Sequence, residues 1–454
     1  MASLAEKLAS NITFDDFKKA TDLKHRLFFT LLILILYRLG SFIPLPGIDA
    51  SIVKSFFDSQ ANGGILSMFD VFTGGSLSRM TIFALNIMPY ISASIIISLL
   101  ASITPSMMEL KKEGESGREK MNQYTRYLTV LICIIQAYGI SVGLEHLSGQ
   151  DGVSAVINPG LFFRFSTIVS LLGGTMLVMW LGEQITSRGV GQGSSLIIFI
   201  GIIANLPSAV VKTIELGKVG QIQPLIMVIL MALLAAVVLF VVFMEQAQRR
   251  IMIHYPKQSN MMYSGYSASS SHLPLKLNTA GVIPPIFAGS LLAIPAMLTS
   301  FISDKSPVWL QFIANQLNRQ SPIYFVIYAA LIIFFSFFYT AIQFNPEETA
   351  ENLKNYGGFI PGVRPGKTTA EYLDYVLTRI TVIGSLYLVA LCLLPDFLIN
   401  KFNVPFYLGG TTLLIVCNVI TETVAQIQSY LISNQYQGIL KGSSSHKVKR
   451  RFVR

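Results

Sequence analysis

The sequence predicts an all-α integral membrane protein, and three observations support this class: its composition, its long apolar runs and the placement of its basic residues. Of the 454 residues, 52% are hydrophobic and only 13% are charged. Soluble domains carry about 25% charged residues, so this chain has too few charges to cover a water-exposed surface. Because the apolar runs recur along the whole chain, we expect one membrane domain rather than several soluble ones.

Ten segments are apolar enough to be transmembrane helices, each of which needs about 20 residues to cross the hydrocarbon core. Gly and Pro inside several of them are tolerated where neighbouring helices satisfy the freed backbone groups. The first segment lacks a small-residue cleavage site and is expected to stay in the mature protein. The predicted spans are 27–46, 80–104, 127–144, 162–182, 194–211, 222–244, 280–302, 322–344, 376–396 and 405–428.

The stretch from Gly63 to Ser78 differs from the ten spans. It is moderately apolar but too short to cross a membrane, and paired glycines bound it at Gly63-Gly64 and Gly74-Gly75. Non-spanning backbone at membrane depth must be sheltered by protein or line a cavity. We therefore interpret residues 63–78 as a short re-entrant segment.

The basic residues predict the orientation of the spans. The N-terminal segment, alternate loops after it and the C-terminal tail hold 24 of the 34 Lys and Arg residues, whereas the intervening loops hold 6. Loops rich in Lys and Arg stay on the cytoplasmic side. Both termini are therefore predicted to be cytoplasmic, in agreement with an even number of spans.

Ionisable residues are missing from the centres of the predicted spans. Glu183, Glu245 and Glu422 all lie towards ends predicted to be cytoplasmic. Because intramembrane ionisable groups mark proton and ion paths, this pattern argues against a proton-coupled transporter. A carrier of neutral solutes and a membrane scaffold that recruits cytoplasmic proteins stay open as alternatives.

Motifs of enzymes and of cofactor sites are also missing. The sequence contains no GxxxxGK[ST] or HExxH motif. Its three cysteines, Cys133, Cys392 and Cys417, lie apart within apolar runs. The glycine-rich run from Gly189 to Gly193 follows a membrane helix and lacks a lysine, so we expect a tight turn there. We expect a protein that is not an enzyme and holds no cofactor or metal.

Eight strings occur in an order that resembles the SecY family, the channel-forming subunits of bacterial Sec protein translocases. They cover most of the chain outside its N-terminal arm and C-terminal tail. In chain order they are GSFIPLPGID (40–49), GGSLSRMTIFALNIMPYISASIII (74–97), KKEGESGREK (111–120), MWLGEQITSRGVGQG (179–193), HLPLKLNTAGVIPPIF (272–287), FNPEETAENLK (344–354), FIPGVRPGK (359–367) and VPFYLGGTTLLI (404–415).

The resemblance implies an architecture and a function. Two pseudo-symmetric, inverted halves of five helices surround a central hourglass pore, which opens sideways between the second and seventh spans. The implied function is a protein-conducting channel of the general secretory pathway, which passes unfolded polypeptides across the bacterial inner membrane and releases apolar segments into it. The expected parts are an arm (1–26), an N-terminal half (27–211), a C-terminal half (212–432) with cytoplasmic loops 245–277 and 345–375, and a basic tail (433–454).

The resemblance also assigns site residues by their matching positions. The resemblance implies a plug, a lateral gate and a ring of apolar side chains, and such a ring can dewet when the pore is empty. The pore ring comprises Ile87, Ile91, Ile198, Ile286 and Ile415. The plug is the 63–78 segment, with Gly63, Gly64, Ile65, Leu66, Met68, Phe69, Gly74 and Gly75. The lateral gate includes Ser92, Ser94 and Asn278. For the two serines, helix packing is the plainer interpretation.

Partners follow from the same resemblance. SecE and SecG are expected in the membrane, with SecDF and YidC as further associates, and signal peptides, unfolded clients and membrane lipids as ligands. Arg249, Arg250 and Arg364 lie in loops that dock the SecA ATPase or the ribosome in the family, and the planar arginine fork suits both. The stretch from Ser259 to Ser271 departs from the family in lacking basic residues, which predicts weaker ribosome contact there.

Overall fold

The computed structural model describes residues 21–59, 70–147, 154–218, 224–255, 271–300, 321–402 and 410–451. These residues form a helical protein with one small hairpin. The helices of the first part are α1 (Thr21–Gly40), α2 (Ala50–Ser59), α3 (Met88–Ile103), α4 (Pro105–Lys112), α5 (Glu115–His146), α6 (Leu161–Arg188) and α7 (Gly193–Lys218). The second part contains α8 (Pro224–Gln246), β1 (Gln248–Ile253), β2 (Ser271–Lys276), α9 (Ile283–Ser300), α10 (Pro322–Gln343), α11 (Pro346–Asn355), α12 (Lys367–Phe402) and α13 (Gly410–Arg451).

A helix covers most of every predicted span. Among the described residues, α5, α6, α10, α12 and α13 are each long and apolar enough to cross a membrane, and shorter apolar stretches lie in α3, α7, α8 and α9. Several helices run past the predicted limits. The predicted boundary at residue 211 falls inside α7, and the predicted start of the tail at 433 falls inside α13. Hydropathy marks only the apolar part of a helix, so it could not locate these ends.

The second predicted span begins later than expected. We predicted a helix from residue 80, but α3 starts at Met88 and turns precede it. Met80 and Asn86 have positive φ angles of 42° and 50°, which no α-helix accommodates. Pro89 occupies the first turn of α3, where its missing amide is tolerated. The stretch from 80 to 87 was therefore wrongly predicted as helix, because its apolar residues are buried in turns.

The loop after α8 contains the hairpin, which the predicted all-α class did not include. β1 and β2 pair antiparallel, with Arg249 opposite Leu275 and Ile253 opposite Ser271. Ile251 and Ile253 are buried while Arg250 and Met252 are exposed, which is the alternation of a half-buried strand.

Most helix contacts fall within two groups. Helices α1, α3, α5, α6 and α7 contact one another, and so do α8, α9, α10, α12 and α13. This grouping matches two halves of five spans. The two groups meet where α7 contacts α13 and where α9 contacts α3 and α5. The largest hydrophobic cluster draws side chains from both groups, so the halves share one core between them.

Candidate functional site

The five isoleucines predicted as a pore ring come together from separate helices. Ile87 directly precedes α3, Ile91 lies on α3, and Ile198, Ile286 and Ile415 lie on α7, α9 and α13. All five belong to the shared hydrophobic cluster, in which Ile87, Ile198 and Ile415 are fully buried and the other two half-buried. Their role as a constriction stays a prediction.

An apolar cavity of about 10 Å³ lies between three of these isoleucines. A cavity of that size is at the limit for a single water molecule, which would also need polar partners. Ile87 and Ile91 pack in the same cluster but do not line this cavity. The residues that line it are Phe72, Met88, Ile198, Pro285, Ile286, Gly289, Ser290 and Ile415.

The sequence did not predict that Phe72 lines this cavity. It lies on a helical turn at residues 70–73, within the predicted plug, and only 5% of it is exposed. An aromatic residue inside a short re-entrant stretch is the signal that could have identified it. We name residues 70–78, the described part of the predicted plug, the plug segment.

Two of the predicted plug glycines lie in the plug segment. Gly74 and Gly75 have φ angles of 71° and 79°, a region that glycine enters without strain. A Cβ atom on Gly74 would lie 2.9 Å from the Cα of Gly201 on α7, so the backbones approach too closely for a side chain. The predicted residues Gly63, Gly64, Ile65, Leu66, Met68 and Phe69 lie outside the described residues.

The three predicted gate residues do not form a hydrogen-bonded group. Ser92 and Ser94 lie on α3, whereas Asn278 precedes α9 and is buried. The amide of Asn278 donates to Glu245 Oε1 at 2.7 Å and to the Gly281 carbonyl at 3.2 Å. Among the described residues it bonds to neither serine. Sequence reasoning missed Glu245 as its partner, although a lone glutamate ending a long apolar helix is a detectable signal.

A much larger polar cavity opens at one end of the bundle, with a volume of about 900 Å³. Its walls come from the start of α5, the end of α6 and the turn that follows it, the ends of α8 and β2, and α13. Gly191 N donates to Gln426 Oε1 at 2.8 Å, which ties that turn to α13 across the two helix groups. Its charged lining residues are Arg118, Glu245, Lys276 and Glu422.

The predicted docking arginines lie on two loops that the fold joins. Arg249 and Arg250 are exposed on β1, and Arg364 is exposed in the turns before α12. His254 and Phe359 exchange backbone hydrogen bonds of 2.9 Å, which link the hairpin to the Arg364 loop. Beneath them, Ile251, Leu275, Ile360, Leu373, Val376 and Ile380 form a separate hydrophobic cluster. The two loops therefore present one surface.

Most of the chain is similar in sequence to known proteins. The SecY family model matches residues 81–424. The protein translocase subunit SecY of Rickettsia bellii is 51% identical over 426 residues, which are 93% of this chain and 97% of that protein. The chain belongs to the SecY family. The SecY protein of Escherichia coli K12 is also 51% identical, over 92% of this chain and 94% of its own length.

Solved structures show that the fold is also the one this family adopts. A protein-conducting channel matches 90% of this chain and 93% of its own length, with a TM-score of 0.59 and 18% identity. Sec61 in a canine ribosome-channel complex from the endoplasmic reticulum matches the same shares, with a TM-score of 0.56 and 17% identity. Family membership therefore agrees with an integral membrane protein of ten spans in two halves.

Proposed function

We propose that this chain is the protein-conducting channel of a translocase, which passes unfolded polypeptides across a membrane and releases apolar segments into the lipid. The main support is that five isoleucines from separate helices meet in one hydrophobic cluster, whose central cavity measures only about 10 Å³. An unfolded chain presents every kind of side chain, so its conduit must not bind any of them firmly. A wall of apolar side chains meets this requirement.

The closure around the cavity supports a resting seal. Ile198, Ile286 and Ile415 would grip a passing chain loosely and would exclude water when no chain is present. The polar cavity of about 900 Å³ would hold the hydrated chain before it reaches this ring. In this proposal residues 63–78 act as the plug, and Phe72 is the side chain that reaches the ring.

The lateral gate in this proposal lies between α3 and α9, which contact each other across the two helix groups. Ser92 and Ser94 would serve on the α3 side. Asn278 would anchor the start of α9 through its bond to Glu245, so that the gate helix moves as a unit with α8.

The partners in this proposal follow the family. SecE and SecG would complete the membrane complex, and SecDF and YidC would associate with it. The surface carrying Arg249, Arg250 and Arg364 would dock SecA or the ribosome, because the separate hydrophobic cluster beneath the hairpin and the Arg364 loop holds both loops in one orientation. Energy would come from ATP hydrolysis by SecA, from translation or from the proton-motive force, and the chain itself would catalyse no covalent step.

The location in this proposal is the bacterial inner membrane, with both termini in the cytoplasm. The supporting observation is the excess of Lys and Arg in alternate loops. The arm (1–26), the two halves (27–211 and 212–432) and the tail (433–454) keep their proposed roles, although α7 and α13 run through two of these boundaries.

Site-specific crosslinking tests the proposed function. A photoreactive residue is placed at Ile91 or Ile415, and a secretory precursor is stalled in membranes energised with SecA and ATP. Ile135, which is 63% exposed on α5, provides a matched isoleucine control on the outer face of the bundle. We expect adducts from the first two positions, none from Ile135, and loss of all adducts when the signal sequence is deleted.

The opposite pattern would overturn the proposal. Translocation without adducts at Ile91 and Ile415 would mean that the chain passes elsewhere. A saturable flux of a small neutral solute would instead identify a carrier, and a scaffold would tolerate a polar residue at Ile415 without any change in membrane leak.

A further inference from the structure

Two residues outside the plug segment, Asn86 and Arg38, bind its backbone through their side chains. The helical turn at 70–73 is short, and the last carbonyls of any helical turn have no partner within it. Asn86 Nδ2 donates to the carbonyl of Phe72 at 3.2 Å, and Arg38 Nη1 donates to the carbonyl of Gly74 at 3.0 Å. Both carbonyls therefore obtain donors from outside the plug segment.

Asn86 also lies at the junction between the plug segment and the predicted ring. It is 1% exposed, and its φ angle of 50° is in the left-handed region, which Asn enters more readily than most residues. The next residue is Ile87, the N-cap of α3 and a predicted ring member. The backbone of Asn86 thus sets where α3 begins, while its side chain contacts the plug segment.

Arg38 is fixed from the other side, at the end of α1. Its guanidinium lies 5.0 Å from the centre of the Phe42 ring, and Arg79 lies over the same ring at 4.6 Å. Arg38 Nη1 also donates to Ser41 Oγ at 3.4 Å. The cation–π contact with Phe42 and this local bond restrict the Arg38 side chain, so the donor is already directed at Gly74.

The backbone of the plug segment packs next to the predicted pore ring. Gly74 meets Gly201 of α7 at close range, and Ile198 lies three residues before Gly201 on the same helix face. Phe72, whose carbonyl Asn86 binds, contributes to the cavity lined by Ile198 and Ile415. Movement of the plug segment away from α7 would break its hydrogen bonds to Asn86 and Arg38. It would also withdraw Phe72 from the cavity beside the ring.

We propose that Asn86 and Arg38 form a clasp that retains the plug segment in the resting channel and must release it when the channel opens. This inference rests on the proposed function. The clasp binds backbone carbonyl groups. Retention of the plug segment therefore depends on Asn86 and Arg38 and tolerates changes in most of the plug side chains. Asn86 and Arg38 position the plug segment and do not themselves line the apolar cavity.

The test measures iodide leak through the resting purified complex in liposomes, together with translocation of a signal-bearing precursor. Asn86→Gly keeps the left-handed backbone and removes the donor, and Arg38→Met removes the donor at similar length. The control is Arg164→Met, because Arg164 pairs with Glu145 at 2.6 Å rather than with the plug segment.

We expect Asn86→Gly and Arg38→Met each to raise the leak by about three- to tenfold, the ratio that corresponds to losing one net hydrogen bond. Precursor translocation should be retained, and Arg164→Met should leave the leak at the parental level. If Arg38→Met does not assemble, Asn86→Gly decides the question, because glycine accepts the same φ angle.

Two results would overturn the clasp, and they are distinguishable. Normal translocation with an unchanged leak in Asn86→Gly would refute the clasp and leave the channel function intact. Failure of the parent protein to translocate any precursor would overturn the proposed function and the clasp with it.

Discussion

The apolar centre of the bundle and the polar cavity at its end differ in size and chemistry, although α13 contributes to both. Ile415 lines the central cavity of about 10 Å³, and three residues later Asn418 lines the cavity of about 900 Å³. In the large cavity polar side chains bond one another, as Asn418 does to Glu422 at 3.3 Å. At the centre almost every wall atom is apolar.

A substitution that adds a polar group should cost more stability at the apolar centre than in the polar cavity. A polar group added to the large cavity can bond water, so its desolvation cost is small. A polar group added at the centre is largely cut off from water. The one polar side chain that lines the central cavity is Ser290, whose hydroxyl already donates to the Ile286 carbonyl. An unsatisfied buried group costs about 1–3 kcal/mol. We therefore expect the effects of substitutions to decrease from the centre of the bundle outwards.

The largest effect is expected for Ile198→Asn. The change removes a buried apolar side chain and places an amide against an almost wholly apolar cavity, so we expect a loss of about 4 kcal/mol in the free energy of unfolding. Denaturant unfolding of the purified complex in detergent measures it. Ile198→Val is the control and should cost about 1 kcal/mol. Equal stability of the two variants would show that the centre is not dry.

Phe72→Ala is expected to have the next largest effect. It removes the aromatic side chain that closes the central cavity from the plug segment, at a cost of about 3 kcal/mol. The resting leak should rise with the loss of stability, and Phe72→Leu should restore most of the seal. An unchanged leak in Phe72→Ala would contradict the role of Phe72 in the closure.

Asn278→Leu tests the buried pair at the border between the two regions. It leaves the Glu245 carboxylate without its 2.7 Å donor, and we expect a loss of about 2 kcal/mol. A second change, Glu245→Leu, should recover part of that loss because no polar group is then left unpaired. A double-mutant cycle in thermal unfolding measures the coupling. Additive losses would contradict a direct interaction.

The smallest effect is expected for Gln426→Ala in the polar cavity. The change removes the bond to Gly191 N, but water can replace the lost acceptor in an open cavity. We expect a change below about 1 kcal/mol in unfolding free energy. A loss as large as that of Asn278→Leu would show that the turn between α6 and α7 is a rigid link between the halves.

The sequence predicted the spans well because hydropathy is a local property of the chain. In the part of the chain that the structure describes, a helix covers most of each of the ten predicted spans. The eight strings indicated the SecY family that the comparisons show. The failure at residues 80–87 has the same origin. Those residues are as apolar as a span, but Asn86 and Met80 adopt left-handed backbone, which a hydropathy pattern does not register.

The sequence alone determined the membrane class, the number and approximate limits of the spans, and the resemblance that named five isoleucines. Which polar groups pair with each other depends on how the helices pack. Arg38 binds a carbonyl 36 residues away, and Asn278 binds Glu245 33 residues away. The hairpin and the Arg364 loop likewise join through His254 and Phe359. Apolar burial in a bilayer acts on each segment separately, whereas a polar group finds its partner only after the helices have packed.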